Sequence, residues 1–366
     1  MSISSMKPPR KCFIRLFIFL TTAILIFLLL GCQYTHHSAE EYAPSSREGM
    51  LQCLRRHPNF TTMETLNSVQ DYKEFFTKVQ VVMNCPWEGN LTKKELYRME
   101  LRSFCNASQR LFLTQENTRE GQRITYEAER SFSKTVGNEV FHMLPKTAPQ
   151  WTEGNLGRCA VVGNGGILRN SSCGDEIDSA DFIIRFNLPP MNYSSDTGVK
   201  THLVTINPSQ ITSSYRGLLY SRKSFVERAA SYESATLVTA ALSYTANTDI
   251  AFRVFYTMRD MRPQQAVLFI HPDYLFKLDH FWRQKGLAAK RLSSGFLLVN
   301  TALELCEKVD LYGFWPFDSL QQRSLLHHYY DNVGPVKGVH AMPEEFRRLL
   351  QMHYEGVLQV HVKECH

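Results

Sequence analysis

The residues best placed to do chemistry are GNGG, Gly163 to Gly166, at the end of a short apolar run. Glycines there let backbone N–H groups approach a phosphate without Cβ clashes, and a helix N-terminus favours negative charge. The pattern departs from G-x-G-x-x-G, because Leu168 stands three places after Gly165. A tight strand-to-helix turn is the equally weighted alternative. Other candidates are sparse. No D-x-D motif occurs: Asp310 and Asp331 are isolated, and Asp178 and Asp181 have the wrong spacing. Nine cysteines include no C-x-x-C pair and no histidine cluster at zinc-site spacing, so a structural metal is not expected. Of thirteen histidines, most must be surface or packing residues.

The elements that would position the glycines read as an α/β pattern. CAVVG from Cys159 is a short buried-type strand run. Asp181 to Asn187, Thr201 to Asn207, Ala266 to Pro272 and Val309 to Phe314 repeat that character, and Ser294 to Lys308 is apolar at helical spacing. Strands alternating with helices predict a mostly parallel sheet of Rossmann type. A dinucleotide oxidoreductase would need an acidic residue ending the second strand to hold a ribose, and that strand ends at Asn187. Apolar spacing at Leu96, Met99, Leu101, Phe104 and Leu111 predicts a helix over 91–113 packed on the main domain.

The N-terminal third is organised differently. Leu16 to Cys32 is nearly unbroken apolar sequence, preceded by Lys7, Arg10, Lys11 and Arg15. About 17 to 20 residues span a thin bilayer, and positive charge on the N-terminal side keeps that end cytosolic. The reading is a cytoplasmic tail (1–12), a transmembrane signal anchor (13–32), a polar lumenal stem (33–84) and a lumenal domain (85–366), in a type II protein of an early secretory or Golgi membrane. A cleaved signal peptide is the rival, weakened by the length of the run and the lack of a clean small-x-small site. Past Cys12 and Cys32, seven cysteines remain, an odd number that leaves one free or bonded to another chain. Sequons at Asn59, Asn90, Asn106, Asn170 and Asn192 all fall on the lumenal side. Net charge is +6, with Lys and Arg interleaved with Asp and Glu after the first apolar run, which excludes a nucleic-acid footprint.

Cys159 to Pro190 closely resembles the large sialylmotif of the animal sialyltransferases (glycosyltransferase family 29), specifically the α2,8 group. Arg291 to Phe317 resembles the small motif, HHYYDN (His327 to Asn332) the third, and HAMPEE (His340 to Glu345) the very small H-x-x-x-x-E motif. The four occur in the family's order, with similarity from about Cys85 to the C-terminus. NCPW, FHMLP and TINPS place the chain nearest the type VI (8F) branch, with type V next.

The resemblance implies a Rossmann-like nucleotide-sugar glycosyltransferase fold, a GT-A variant, with CMP-sialic acid as donor and a sialylated glycan on a glycoprotein or glycolipid as acceptor. Asn164 and Asn187 match donor-contact positions, and an asparagine side chain both donates and accepts. Ser293, Ser294 and Gly295 match a Ser-Thr-Gly turn that seats an anion; Asn207, Pro208 and Ser209 match an NPS segment near the donor sugar. Trp315 would line the cytidine side, with a core aromatic as its alternative. His340 is implied as the base of an inverting displacement, and His328 as the group that meets the leaving phosphate. His327 has no equally clear role, and Glu345 would fix the local turn or the imidazole. No metal or other cofactor is implied. Cys159 is implied to pair with Cys306, and Cys173 with Cys365.

Two departures stand out. Phe104 and Phe186 replace cysteines common in relatives, and a Phe–Phe contact is expected in place of a bond. Residues 117–158 hold six Lys or Arg against five Asp or Glu. That balance argues for adding one or a few sialic acids rather than a long polymer. Rival readings are an α2,3 or α2,6 linkage, an enzyme acting mainly on gangliosides, and a silent, membrane-anchored glycan-binding or assembly partner. A homo-oligomer is compatible with all of them.

Overall fold

The computed structural model describes residues 69–320, 323–334 and 338–365. The expected tail, anchor, Asn59 and most of the expected stem lie outside the described residues. Among the described residues no helix is long and apolar enough to cross a membrane.

The centre is a seven-stranded sheet. Its strands are β1 (Leu156–Val162), β2 (Phe182–Phe186), β3 (Leu203–Thr205), β4 (Thr236–Thr239), β5 (Val267–Phe269), β6 (Cys306–Tyr312) and β7 (Gln359–His361). The spatial order is β7-β6-β1-β2-β3-β4-β5, and every pairing is parallel. Sheets covered on both faces need mostly apolar strands, and all five residues of β2 are buried, the one charged member, Arg185, donating to the Lys200 carbonyl. Chain order runs outward from β1 to β5 and resumes on the other side with β6. The strand order therefore reverses beside β1, where open α/β sheets form their ligand crevice, beyond the carboxyl ends of the strands. Two of these strands, β4 and β7, are additions to the sequence expectation. TLVT and QVH are short, and only pairing with a neighbour distinguishes them from loops.

Helix α1 (Val69–Asn84) falls in the stretch expected as stem, yet Phe75, Val79 and Val82 are buried in the domain core. The packed domain thus begins before Cys85. The helix expected over 91–113 is α2 (Leu91–Phe104), followed by a break at Asn106 with φ +58° and a short turn, Ala107–Arg110. Leu101 and Leu111 are buried, but Leu96 and Met99 are more than half exposed.

Helix α3 (Pro208–Tyr215) follows β3, α4 (Thr245–Met261) follows β4, and α5 (Pro272–Gln284) follows β5. Next comes α6 (Ser294–Leu305), buried at every residue from Phe296 onward. A helix apolar on all sides belongs inside a core. Its few polar groups are all satisfied there: Asn300 accepts from the Trp282 indole, Thr301 bonds the Tyr274 hydroxyl, and the Glu304 carboxylate accepts from the Ala107 amide. Burial pushes the Glu304 carboxyl up to about 7. Helix α7 (Met342–Tyr354) covers the β6–β7 side.

Both implied disulfides are present, Cys159–Cys306 and Cys173–Cys365. The first spans 147 residues and joins β1 to the junction of α6 and β6. The chain-entropy argument gives such a closure up to about 5 kcal/mol. Cys85 is also disulfide-bonded, and Cys105 is a free, buried thiol pushed up to about 12 by desolvation. The expected Phe104–Phe186 contact is not made. The Phe104 ring packs on His280 and Phe281, while Phe186 meets Phe314 edge-on. The two positions enter the same large core from different elements, which sequence comparison could not resolve.

Candidate functional site

The site is built on the loops that leave the carboxyl ends of β1, β2, β3 and β6. After β1, the three glycine amides of the turn are already taken by backbone acceptors. Gly163 N–H donates to the Tyr312 carbonyl, Gly165 N–H to Gly313, and Gly166 N–H to His327. The glycines are needed instead for close packing of backbone on backbone. A Cβ at Gly163 would stand 2.7 Å from the Gly313 carbonyl oxygen, one at Gly165 2.5 Å from the same atom, and one at Gly166 would run into the Leu326 carbonyl. The phosphate-cradle expectation is therefore corrected: these three glycines weld three chain segments together.

Asn164, within that turn, has a different position. Its Nδ2 donates to the Phe186 carbonyl at 2.9 Å, while its buried Oδ1 has no partner. Asn187 follows β2 with φ +60°, a left-handed conformation that asparagine tolerates. Its Oδ1 accepts from the Asn207 amide at 3.2 Å, and its carbonyl accepts from the Gln210 side chain. Asn207 is the N-cap of α3, and Pro208 occupies the first helical position, where its missing N–H costs nothing. Ser209 is exposed. Asn164 is thus tied to the end of β2 at Phe186, and the next residue, Asn187, is tied to Asn207.

HHYYDN closes on itself and lies against the glycine turn. His328 pairs with Gly165 through a backbone bridge, and Tyr329 N–H donates to the Asn164 carbonyl. His328 Nδ1 sits 2.7 Å from Asp331 Oδ1, its ring stacks on Tyr330, and its side chain is a quarter exposed. With Nδ1–H held by the carboxylate, Nε2 is the atom available to a ligand. Asp331, isolated among the acidic residues of the sequence, is the partner that orients this imidazole; its position three residues after a histidine is the available signal. His327 uses its carbonyl to hold Gly166 and its amide to hold Asn332, and burial lowers its imidazole pKa from the ordinary value.

The cleft between these loops and α6 is lined by Thr205, Asn207, Arg291, Ser294, Leu298 and His340, among others. Ser293 is the N-cap of α6, accepting from the Phe296 amide at 3.1 Å. Its own N–H donates to Glu345 Oε1 at 2.8 Å. The amides of Ser294 and Gly295 make no hydrogen bond among the described residues. Glu345 is buried and its carboxyl is pushed up to about 7 by desolvation. It therefore anchors the start of α6 and not the imidazole. The imidazole is oriented by a backbone group: His340 Nδ1 lies 2.9 Å from the Arg291 carbonyl. Donation to that carbonyl fixes the proton on Nδ1 and leaves the Nε2 lone pair free in the cleft. Burial holds the pKa of this imidazole below its ordinary value, which favours the neutral form that can accept a proton.

Trp315 takes its core alternative. It is 4% exposed, its N–H donates to the Ser319 carbonyl, and its ring packs on Phe76, Phe317 and Phe346. Of the sequons, Asn90 is exposed and caps α2 by accepting from Lys93; Asn170 and Asn192 are exposed, and Asn106 is half-buried with its amide on Gln109. Glu176, His361 and Cys365 lie within ligand distance of one another, but Cys365 is bonded to Cys173 and offers no thiolate.

The loops at the carboxyl ends of this parallel sheet thus bring asparagine side chains, a helix N-terminus and an oriented imidazole to the place where open α/β sheets form their ligand crevice. Residues 112–357 match the model of glycosyltransferase family 29, the sialyltransferases, and the chain belongs to that family. It is 43% identical over 301 residues to a mouse protein named alpha-2,8-sialyltransferase 8F, covering 81% of this chain and 75% of that one. It is 40% identical over 357 residues to human alpha-2,8-sialyltransferase 8E, covering 96% and 94%. The crystal structure of a mammalian sialyltransferase shares the fold at TM-score 0.50 and 22% identity, over 72% of this chain and 94% of that one.

Proposed function

We propose that this chain transfers sialic acid from CMP-sialic acid to the 8-hydroxyl of a sialic acid that terminates a glycoprotein O-glycan or a glycolipid. The observation that carries the mechanism is the His340 Nδ1 bond to the Arg291 carbonyl, which presents Nε2 to the cleft. Nε2 removes the proton from the acceptor hydroxyl as its oxygen bonds to the anomeric carbon. The bond to the CMP oxygen breaks on the opposite face, so configuration inverts. His328, steadied by Asp331, donates to the departing phosphate and offsets its growing charge. Asn164 Oδ1, the Asn187 side-chain Nδ2 and the amides of Ser294 and Gly295 bind the donor's polar groups. No metal takes part, and a type II anchor at 13–32 places the domain in the Golgi lumen.

The α2,8 names of the relatives and the intact His328 and His340 support this reading over the silent-partner alternative. The test is transfer from CMP-sialic acid by the detergent-solubilised chain in EDTA, with linkage analysis of the product. A sialylated O-glycan and a sialylated glycolipid serve as acceptors, and His340→Ala runs beside wild type. Product of another linkage, or transfer that stops in EDTA and returns with a cation, would overturn the corresponding part.

A further inference from the structure

We propose that the Arg291 guanidinium seats the carboxylate of the acceptor's terminal sialic acid and so selects sialylated acceptors at this site. The inference deepens the α2,8 reading and rests on it, because a sugar that offers an 8-hydroxyl in this reaction also carries a carboxylate.

Arg291 lines the same cleft as Asn207, Ser294 and His340. Its guanidinium is fixed along one edge. Nε donates to Glu127 Oε1 at 3.3 Å, Nη2 donates to Ser243 Oγ at 2.7 Å, and Glu127 Oε2 stands 3.0 Å from Nη2. The Tyr244 ring lies under the group, 5.5 Å from Cζ. The third nitrogen, Nη1, makes no hydrogen bond among the described residues, and the side chain is 23% exposed. A guanidinium clamped by a carboxylate, a hydroxyl and a ring, with one nitrogen left open, is preorganised for a further anion. Glu127 is 8% exposed and balances the charge, so the empty cleft strands no lone buried cation. Ion pairing alone would need neither the cleft wall nor the open nitrogen.

The link to the base favours the acceptor over the donor. Arg291 is the residue whose carbonyl holds the His340 imidazole. Base and cation are thereby tied to one residue, as the hydroxyl to be deprotonated and the carboxylate are tied to one sugar. The donor's carboxylate has another seat in the unbonded amides of Ser294 and Gly295 at the start of α6.

The test uses the detergent-solubilised full-length chain, CMP-sialic acid, and two acceptors: sialyllactose and the same trisaccharide with its carboxylate converted to a carboxamide. KM for donor and acceptor is measured for wild type, Arg291→Lys and Arg291→Met. Wild type should show a KM roughly tenfold to a hundredfold higher for the carboxamide, the usual value of a hydrogen bond to a charged group. Arg291→Met should raise the carboxylate acceptor's KM by a similar factor, leave the carboxamide's KM within about twofold, and leave the donor's KM within about twofold. Arg291→Lys should restore part of the preference. Equal loss on both acceptors, or a rise confined to donor KM, would overturn the proposal. If Arg291→Met does not fold, equal wild-type KM for carboxylate and carboxamide would still overturn it. Wild type forming α2,8 product with no Arg291 dependence sinks this inference alone; no α2,8 product from either acceptor sinks the parent reading with it.

Discussion

At the end of β1 the amides of Gly163, Gly165 and Gly166 all have backbone acceptors, whereas at the start of α6 the amides of Ser294 and Gly295 have none among the described residues. The Phe314 ring touches both regions: a Cβ on Gly163 would lie 3.3 Å from it, and one on Gly295 3.2 Å. The glycines of the turn, the more conspicuous motif, are closed scaffold, and Asn164 between them keeps an open group. The less conspicuous Ser-Ser-Gly is the open end, held by Glu345 on the Ser293 amide and by Arg291 on His340. Buried polar groups that are already paired have nothing left to give a ligand, and those left unpaired are costly unless a ligand completes them. Unspent valences therefore locate the chemistry better than the glycines do.

The largest effect that would sharpen this contrast is chemical. His340→Ala should lower kcat by roughly a hundredfold to ten-thousandfold, the usual worth of a positioned general base, with the melting temperature little changed. In wild type, kcat/KM should fall only below the ordinary imidazole value, because burial holds His340 beneath it. An acid limb centred above that value would argue against His340 as the base.

On the closed side the effect should appear in stability. Gly165→Ala places a Cβ against the Gly313 carbonyl, a backbone atom in β6's continuation that cannot rotate away. A loss of about 1–3 kcal/mol is expected in denaturant unfolding. Gly295→Ala meets only an aromatic ring in ordinary reach of adjustment, and its loss should stay under about 1 kcal/mol. Equal losses at the two glycines would erase the distinction drawn between the regions.

Asp331→Asn should cost about tenfold in kcat, close to one charge-assisted hydrogen bond, through loosening of His328. An unchanged kcat would remove Asp331, and with it the orientation argument for His328.

The smallest effect concerns pH. Glu345 is raised in the folded state from 4.5 to about 7, so its contribution to stability is complete below 4.5 and lost as pH rises through about 7. Glu345→Gln should flatten that part of the stability profile. Glu304 shifts in the same direction and leaves a residual slope. A profile unaltered by Glu345→Gln would mean the carboxyl is ionised in the native protein.

The class of protein was legible in the chain because its evidence is local. Strands buried on both faces must be mostly apolar, so β1, β2, β3, β5 and β6 showed as runs, and the four motifs carried the family. The pairs Cys159–Cys306 and Cys173–Cys365 followed from those motifs. Contacts between distant segments were not legible. Nothing near Glu127 or Arg291 in sequence indicates that they meet across 164 residues, and Phe104 and Phe186 turned out to have separate partners. Nor could Trp315 be assigned to core or cleft, since an indole suits either until its neighbours are placed. The residue types fixed which groups could donate, accept or titrate; the tertiary structure alone decided which of those capacities the fold consumes internally and which it leaves open in the cleft.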